Sequence, residues 1–444
     1  MSFPRYPKYK ASGVEWLGDV PEGWEVTALK RGYAVTLGKM LQPEQSNPTD
    51  TLLPYLRAAN IQWNGVDTSD IKEMWLSPRD RNQLGLIKGD LLISEGGDVG
   101  RSCVWQEELD ECYFQNSVNR VRARKGNSNR YLYYWMAVIK DKGYVDVLCN
   151  KSTIAHFTAE KVSAVTVPFP PLPEQTAIAE FLDRETGRVD ELVAEQRRLM
   201  ELLKEKRQIV ISHAVTKGLN PQAPMRPTGT EWLDKVPEHW KLRRLKEVGV
   251  LKGGAGFPPD MQDVADEELP FYKVGDLKAS LDGRLMAAPE HTISREIALK
   301  LRAAIIPIGS ILYAKIGAAL SLNRRRVTFC NCCIDNNMTA YTPQKKFIRT
   351  DWAFYWLSIL DFDIYKNPGA VPSLSEGDQG ALPILVPPLE EQIQIADFLA
   401  DETAKIDELV AEAQSAIDLL QERRSALISA AVTGHIDVRQ QPGI

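Results

Sequence analysis

"PPLPEQTAIAEFLDRETGRVDELVAEQ", residues 170–196, returns as "PPLEEQIQIADFLADETAKIDELVAEA", residues 387–413, with 17 of 27 positions identical. With Glu174 set against Glu391, an offset of 217 residues holds without a gap from Pro170 to Thr216, where "AVT" (214–216) meets "AVT" (431–433). Upstream, "SGVEWLGDVPEGW" (12–24) matches "TGTEWLDKVPEHW" (228–240), aligning Trp16 with Trp232, Pro21 with Pro237 and Trp24 with Trp240. Between these marks "YLRAANI" (55–61) meets "FYKVGDL" (271–277), and "GDLLISEGG" (89–97) meets "GSILYAKIG" (309–317). Such a unit exceeds the roughly 20 to 50 residues of a solenoid repeat, so it marks a duplicated domain pair.

Each half changes texture once. Its first part is rich in Gly, Pro and aromatics, with short apolar runs such as "DLLIS" and "SILYA" that read as strands between turns. A short helix is expected at "RYLYYWMAVI" and at its counterpart "DWAFYWLSIL". After "PFPPLPEQ" and "LVPPLEEQ" proline is absent from Gln175 to Asn220 and from Gln392 to Gln441, as a long helix requires. The prolines suit a helix start, and Glu174 and Glu391 place negative charge near the positive end of the helix dipole. The expected boundaries are a recognition domain at 1–169, a helix at 170–218, a second domain at 219–386, a second helix at 387–436 and a tail at 437–444.

The helices carry a heptad seam. Its expected d row is Leu182, Val189, Gln196, Leu203 and Val210, repeated as Leu399, Ile406, Ala413, Leu420 and Leu427. Its expected a row is poorer: Ile178, Glu185, Leu192, Leu199, Lys206 and His213, repeated as Ile395, Glu402, Leu409, Ala416, Arg423 and Ala430. Leu192 and Leu409 are its apolar members in mid-helix, and with the apolar d residues they are expected to pair the rods. About 43 helical residues span roughly 65 Å, and two such rods in one chain are each other's obvious partner. The alternative is that each packs on its own domain. The expected fold is therefore α+β: two similar globular α/β target recognition domains joined by two long helices in an antiparallel coiled coil, with an internal pseudo-twofold.

The chain has 444 residues, 44% hydrophobic and 25% charged, which is ordinary for a folded protein of two or three domains. No signal-peptide-like or membrane-spanning run occurs, so a cytoplasmic location without membrane association is expected. Six scattered or crowded cysteines read as reduced thiols and not as a disulfide framework. A net charge of −5 does not by itself favour a polyanionic partner. Basic residues nevertheless cluster in "NRVRARKGNSNR" (119–130), "KLRRLK" (241–246) and "NRRRV" (323–327), while acidic ones gather in the repeated helices.

A pseudo-twofold protein with two unlike domains on matched helices suits a duplex, whose local twofold symmetry lets two readers occupy half-sites at a set distance. On "PPLPEQTAIAEFLD" and "PPLEEQIQIADFLA", with "YKASGVEWLGDVPEGW" (9–24), the sequence resembles the specificity subunit of type I restriction-modification systems over essentially its whole length. The resemblance implies a non-catalytic subunit that selects a bipartite sequence in double-stranded DNA. It implies two methyltransferase subunits as partners and, in the larger complex, two restriction subunits. S-adenosylmethionine, ATP and Mg would belong to those partners and not to this chain.

Catalytic signals are incomplete. In "GYAVTLGKM" (32–40) the spacing of Gly32 and Gly38 is wrong for a phosphate loop, and Met40 stands where Ser or Thr would hold magnesium. "CNCC" (330–333) has no second cluster to close a zinc site. "PD" (259–260) with "DLK" (276–278) resembles a nuclease acid pattern, but the first half has "NIQ" (60–62) at the equivalent place. "NPGA" (367–370) is not the Asn-Pro-Pro-aromatic signature of an amino-methyltransferase. A self-sufficient nuclease or methyltransferase and a purely structural coiled-coil adaptor are the rival readings.

Binding chemistry remains. On a strand, Arg120, Arg122 and Arg124 would share one face, able to follow phosphates or to grip guanine; a solvated strand face is the competing reading. Arg57 aligns with Lys273 and Asn60 with Asp276, where surface pairing competes. Asn116 aligns with Asn336, beside Gln115 and Asp335, and such side chains suit adenine edges; turn hydrogen bonding competes. Arg324, Arg325 and Arg326 complete the DNA-binding candidates. The paired tryptophans are assigned to packing.

Overall fold

The computed structural model describes residues 3–124, 126–149, 156–230, 232–262, 266–367 and 371–439. Lys125 of the first basic cluster, the Asp260 side chain of "PD" and residues 368–370 of "NPGA" lie outside the described residues. The chain divides into two compact units, one of Met1–Arg197 with Gln414–Ile444 and one of Arg198–Ala413.

In the first unit four antiparallel strands lie in the order Ser102–Val104, Leu91–Ser94, Val118–Ala123, Tyr33–Leu37. A smaller sheet sets Tyr113–Phe114 parallel to Thr51–Leu56, which pairs antiparallel with Lys72–Leu76. The second unit repeats both sheets: Arg325–Val327, Ile311–Ala314, Met338–Pro343, Gly249–Gly253 in the first, and Cys333–Ile334, Leu269–Tyr272, Thr292–Ile293 in the second. The expected short helices are α1, Asn129–Asp141, capped by Ser128, and its counterpart Thr350–Ile359. Their aromatic faces fill the larger core of each unit.

The repeated "PPLxEQ" motif anchors each long helix. In the first unit helix α2, Leu172–Lys217, begins with Glu174 buried, accepting hydrogen bonds from Trp24 Nε1 at 2.9 Å and Tyr6 Oη at 2.5 Å. Gln175, fully buried, accepts from Ser128 N and donates to Pro170 O, fastening α2 to the start of α1. The second unit does the same at the start of the other long helix, Leu389–Val432. Trp240 Nε1 donates to Glu391 at 2.8 Å, while Gln392 accepts from Arg349 N and donates to Pro387 O. Hydrogen bonds to a charged acceptor contribute about 1.5–3 kcal/mol each, which explains why a tryptophan and a glutamate recur together. Trp24 and Trp240 are fully buried, and Trp16 and Trp232 lie against Trp135 and Trp356, so the tryptophans pack.

Within each unit the two long helices run antiparallel. In the first, Ile178, Phe181 and Leu182 share a core with Ile428, Ala431 and Val432; in the second, Ile211, Ala214 and Val215 share one with Ile395 and Leu399. Asp190 meets Arg424 at 2.9 Å in the first unit, and Arg207 meets Asp407 at 3.2 Å in the second. Asp407 and Arg424 are the counterparts of Asp190 and Arg207 at the 217-residue offset, so one ion pair is made twice.

The seam itself differs from the expectation by one residue in its a row. The d row is largely inside, with Leu182, Val189, Leu203, Leu399 and Ile406 buried and Val210, Leu420 and Leu427 half-buried. Its partner row is not the one containing Leu192 and Leu409, which are 45% and 47% exposed, although that row's first members, Ile178 and Ile395, are buried. It is Ala179, Thr186, Val193, Met200, Arg207 and Ala214, repeated as Ala396, Thr403, Val410, Ile417, Arg424 and Ala431. Small residues here let the helices approach, Thr186 and Thr403 return their hydroxyls to Leu182 O and Leu399 O, and the arginines make the ion pairs just described. Past the second long helix, Asp437 N donates to Pro4 O and Val438 is fully buried in the first unit's core.

Candidate nucleic-acid interface

At one end of each four-stranded sheet several loops meet at a three-residue turn. In the first unit the turn is Gln115-Asn116-Ser117. Gln115 N donates to Leu56 O, Asn116 N to Lys39 O, Glu95 N to Ser117 O, and Ala58 N to Ser117 Oγ. In the second the turn is Asp335-Asn336-Asn337, where Asp335 N donates to Tyr272 O, Lys315 N to Asn337 O, and Val274 N to Asp335 Oδ2. Burial raises the Asp335 carboxyl above the usual carboxylate range.

A glycine makes each turn possible. Gly38 and Gly254 lie so close to it that a Cβ would fall 2.3 Å from Gln115 O in one and 1.9 Å from Asp335 O in the other. Local sequence presents Gly38 only as a fragment of a failed phosphate loop. The signal that identifies the two glycines is their alignment with each other at the same offset as Trp16 and Trp232.

Around this shared hub the side chains differ. Lys252, Lys273 and Lys315 of the second unit stand where Thr36, Arg57 and Glu95 stand in the first, with Lys252 and Thr36 on strands. Lys252 is exposed and Lys315 half-exposed, whereas Glu95 is half-buried, 4.0 Å from His156, with its carboxyl raised by burial. Asn336 is exposed and Asn116 half-buried at the turn tips.

Several sequence candidates lie elsewhere. Arg120 is 6% exposed, donates to Gly85 O at 3.0 Å and Thr36 Oγ1 at 3.3 Å, and covers the Phe114 ring; burial pushes its guanidinium down to about 10. Arg122 grips Asp90 through two hydrogen bonds of 2.6 and 2.8 Å. Both do share a strand face, as alternation requires, but that face is closed by Gly85 and Asp90 and not by solvent. Arg124, one step beyond the strand end, is exposed.

The second arginine cluster divides likewise. Arg325 is 3% exposed, packed on Phe362 at 3.8 Å and bonded to Leu360 O, with its guanidinium pushed down to about 9 by burial. Arg326 donates to Ala279 O and Arg325 O, and Arg324 is exposed. The expectation of a phosphate-following row is thus corrected for Arg120 and Arg325, which are internal struts, and for Arg122, which is partly exposed but has its guanidinium held by Asp90. Asn60 is corrected too. It is 3% exposed, its Oδ1 accepts from Arg57 N, and its Nδ2 donates to Asp67 O and Asp70 O. Asp276 accepts from Lys273 N in the same way, so the aligned pair is a repeated cap. The side chain of Arg57 pairs with Asp70 at 2.7 Å and that of Lys273 donates to Gln262.

Among the described residues no group of three or more His, Cys, Asp or Glu could hold a metal ion. The thiols of Cys103 and Cys112 are pushed up to about 12, and that of Cys333 to about 11, by burial, which keeps them protonated. No helix among the described residues is long and apolar enough to cross a membrane.

Two copies of one scaffold, each with a loop hub at the sheet end and a long helix anchored at its base, define a tandem recognition-domain protein. Its sequence matches the type I restriction modification DNA specificity domain at residues 21–198 and again at 237–417, and the chain belongs to that family. It is 22% identical over 449 residues to a putative type I restriction enzyme MjaX specificity subunit of Methanocaldococcus jannaschii, covering 95% of this chain and 96% of the relative. It is 21% identical over 447 residues to the type I restriction enzyme EcoKI specificity subunit of Escherichia coli, covering 94% and 90%. Its fold is similar to a chain solved in work on complex assembly and conformational transition of the type I R-M system, with a TM-score of 0.72 at 16% identity, covering 93% and 98%. A crystal structure of the HsdS subunit from Thermoanaerobacter tengcongensis is similar at a TM-score of 0.53 and 20% identity, covering 94% and 98%.

Proposed function

We propose that this chain is the non-catalytic DNA specificity subunit of a type I restriction-modification complex, in which each recognition domain reads one half of a bipartite site. The observation that carries the reading is the loop hub, built twice on the same backbone hydrogen bonds and glycine contact but furnished with different side chains. A lysine-lined hub and a hub holding Glu95 present different chemistry to base edges and phosphates. The base-facing residues proposed are Asn116 and Asn336 at the turn tips, with Arg57, Arg124, Lys273, Lys315, Arg324 and Arg326 as flanking cations.

The paired helices set the distance between half-sites and dock two methyltransferase subunits. Docking is supported by apolar side chains that the seam leaves outside: Leu192 and Leu419 in the first unit, and Leu199, Leu202, Ile209 and Leu409 in the second. S-adenosylmethionine, ATP and Mg act on the partners, including two restriction subunits in the larger assembly.

Selection of bound duplexes from a randomised pool, with methyltransferase subunits present, tests the reading. The expected result is two constant half-sites separated by a fixed unread spacer. Inserting a matched heptad after Ala194 and after Ala411 lengthens each rod by about 10 Å, close to three base pairs at roughly 3.4 Å each. The native spacing is then expected to be lost while each half-site preference persists. Selection of the original spacing at full affinity by the folded variant would remove the helices as the ruler.

A further inference from the structure

The basic cluster "KLRRLK" lies apart from the loop hub, and its side chains stand in solvent: Lys241, Arg243, Arg244 and Lys246 are all exposed. Lys241–Arg244 form a strand whose partner is Pro383–Val386, in a sheet of two. Beside it opens a cleft of about 410 Å3 whose walls include His239, Lys241, Arg243, Glu247, Lys346 and Phe347. Among the described residues of this cluster only Arg243 has an ion-pair partner, Glu247 at 3.8 Å. Lys346 rests over the Phe347 ring, 4.6 Å from its centroid. With Glu247 against Arg243 and Glu391 beside His239 at 2.6 Å, Lys241 and Lys346 leave the cleft net positive.

The fold does not require that charge. The equivalent strand of the first domain, Glu25–Ala28, pairs with Thr166–Phe169 in the same way and carries Glu25, Thr27 and Ala28 at the places of Lys241, Arg243 and Arg244, although past the strand Lys30 matches Lys246 and Arg31 is exposed beside it. Lysine on a short edge strand commonly guards against strand-to-strand association, but the first domain makes the same edge without it. The cleft and the hub are joined by one strand. Val248 lines the cleft, Gly249–Gly253 follows, and Gly254 enters the hub. Five strand residues span roughly 17 Å, the rise of about five base pairs at roughly 3.4 Å each, or about half a turn of duplex.

Resting on the half-site reading above, we propose that this cleft and strip grip the phosphate backbone of the duplex about half a turn from the bases read by the second domain. The grip is independent of sequence, and its strand cations Lys241, Arg243 and Arg244 have no counterpart in the first domain. Phe347 in the wall would also suit an acidic, apolar protein segment. The row of exposed cations along an open strand favours the polyphosphate, which needs charge at intervals and not a shaped pocket.

The test uses the complex of this chain with its methyltransferase subunits and a triple variant, Lys241→Gln, Arg243→Gln and Lys346→Gln. The salt dependence of binding is expected to flatten by roughly 2 to 3 logarithmic units of slope, about 0.9 for each phosphate no longer neutralised, with the selected half-sites unchanged. Neutral methylphosphonates placed one at a time along the duplex should weaken wild-type binding about five base pairs from the second half-site. The variant should no longer feel that substitution, and the first half-site should show no equivalent position. An unchanged slope, or a methylphosphonate pattern shared by wild type and variant, overturns the proposal. Loss of methyltransferase assembly with an unaltered DNA pattern overturns it in favour of a protein partner. If the wild-type complex selects no second half-site in the randomised pool, the half-site reading fails first and the grip with it.

Discussion

The two recognition domains use one backbone design and differ where chemistry is presented. The sheets have the same order, the turn is pinned by the same backbone donors, and each long helix starts on a Trp–Glu bond and a buried glutamine. Yet the hub has Glu95 in one domain and Lys315 in the other, and the edge strand has Glu25 in one and Lys241 in the other. The helix anchors and hub glycines recur in type and place, whereas much of the hub's lining does not, although the turn-tip asparagines Asn116 and Asn336 are common to both. The shared tips and the unlike lining therefore have to be separated by experiment.

The sharpest way to break this comparison is at its common core. Gly38→Ala and Gly254→Ala each force a Cβ onto a backbone carbonyl that cannot move without opening the turn. Each is expected to cost about 3 kcal/mol or more by the strain and unmade hydrogen bonds it creates, read as a lower unfolding transition. Tolerance of alanine in one domain but not the other would show that the hubs are not equivalent.

An unequal effect, no larger than that of the glycine replacements, is expected at the helix anchors. Glu174 is buried and holds Tyr6 and Trp24, so Glu174→Ala should cost about 3 kcal/mol by orphaning buried donors. Glu391 is more open and holds Trp240 and the exposed His239, so Glu391→Ala should cost about 1 kcal/mol. Equal losses in differential unfolding would mean that burial does not separate the two anchors.

The seam supplies the next step down. Val193 is buried and Leu192 beside it is not. Val193→Ala is expected to cost about 1–2 kcal/mol by the cavity it leaves. Leu192→Ala should change stability by less than about 0.5 kcal/mol and weaken methyltransferase binding instead. The reverse order of stabilities would restore the a row that bulk apolarity suggests.

Much of the architecture is legible in the sequence because it is written twice. The internal match locates both helices to within a few residues, and the proline-free stretches give their length. The a row is hidden because bulk apolarity is a poor guide to it. Leu192 and Leu199 look like seam residues, while the Ala, Thr and Arg that occupy the seam look like surface. The arginine row misleads for a related reason: alternation places Arg120 and Arg122 on one face but cannot tell whether Asp90 and Gly85 close that face. Local pattern gives direction along a strand, and only the chain's long-range return decides what lies opposite. The hub is invisible to local reading because its parts come from segments far apart in sequence.

The finest test separates reading from folding at the turn tips. Asn336 is exposed, its main chain is held by neighbours, and Asn337 N bonds to Asp335 Oδ1 whatever the side chain at 336. Asn336→Ala should therefore leave unfolding within about 0.5 kcal/mol of wild type. An amide that grips an adenine edge contributes about 1–3 kcal/mol of discrimination, so selection from a randomised pool should show one relaxed position in the second half-site and an unaltered first half-site. Asn116→Ala should relax the first half-site alone, with a somewhat larger effect on folding because Asn116 is half-buried. If both half-sites relax together, the two domains do not read independently. If neither relaxes while both variants stay folded, the turn tips are scaffold like the glycines behind them, and the readers are to be sought among the lysines of the second hub and their unlike counterparts in the first.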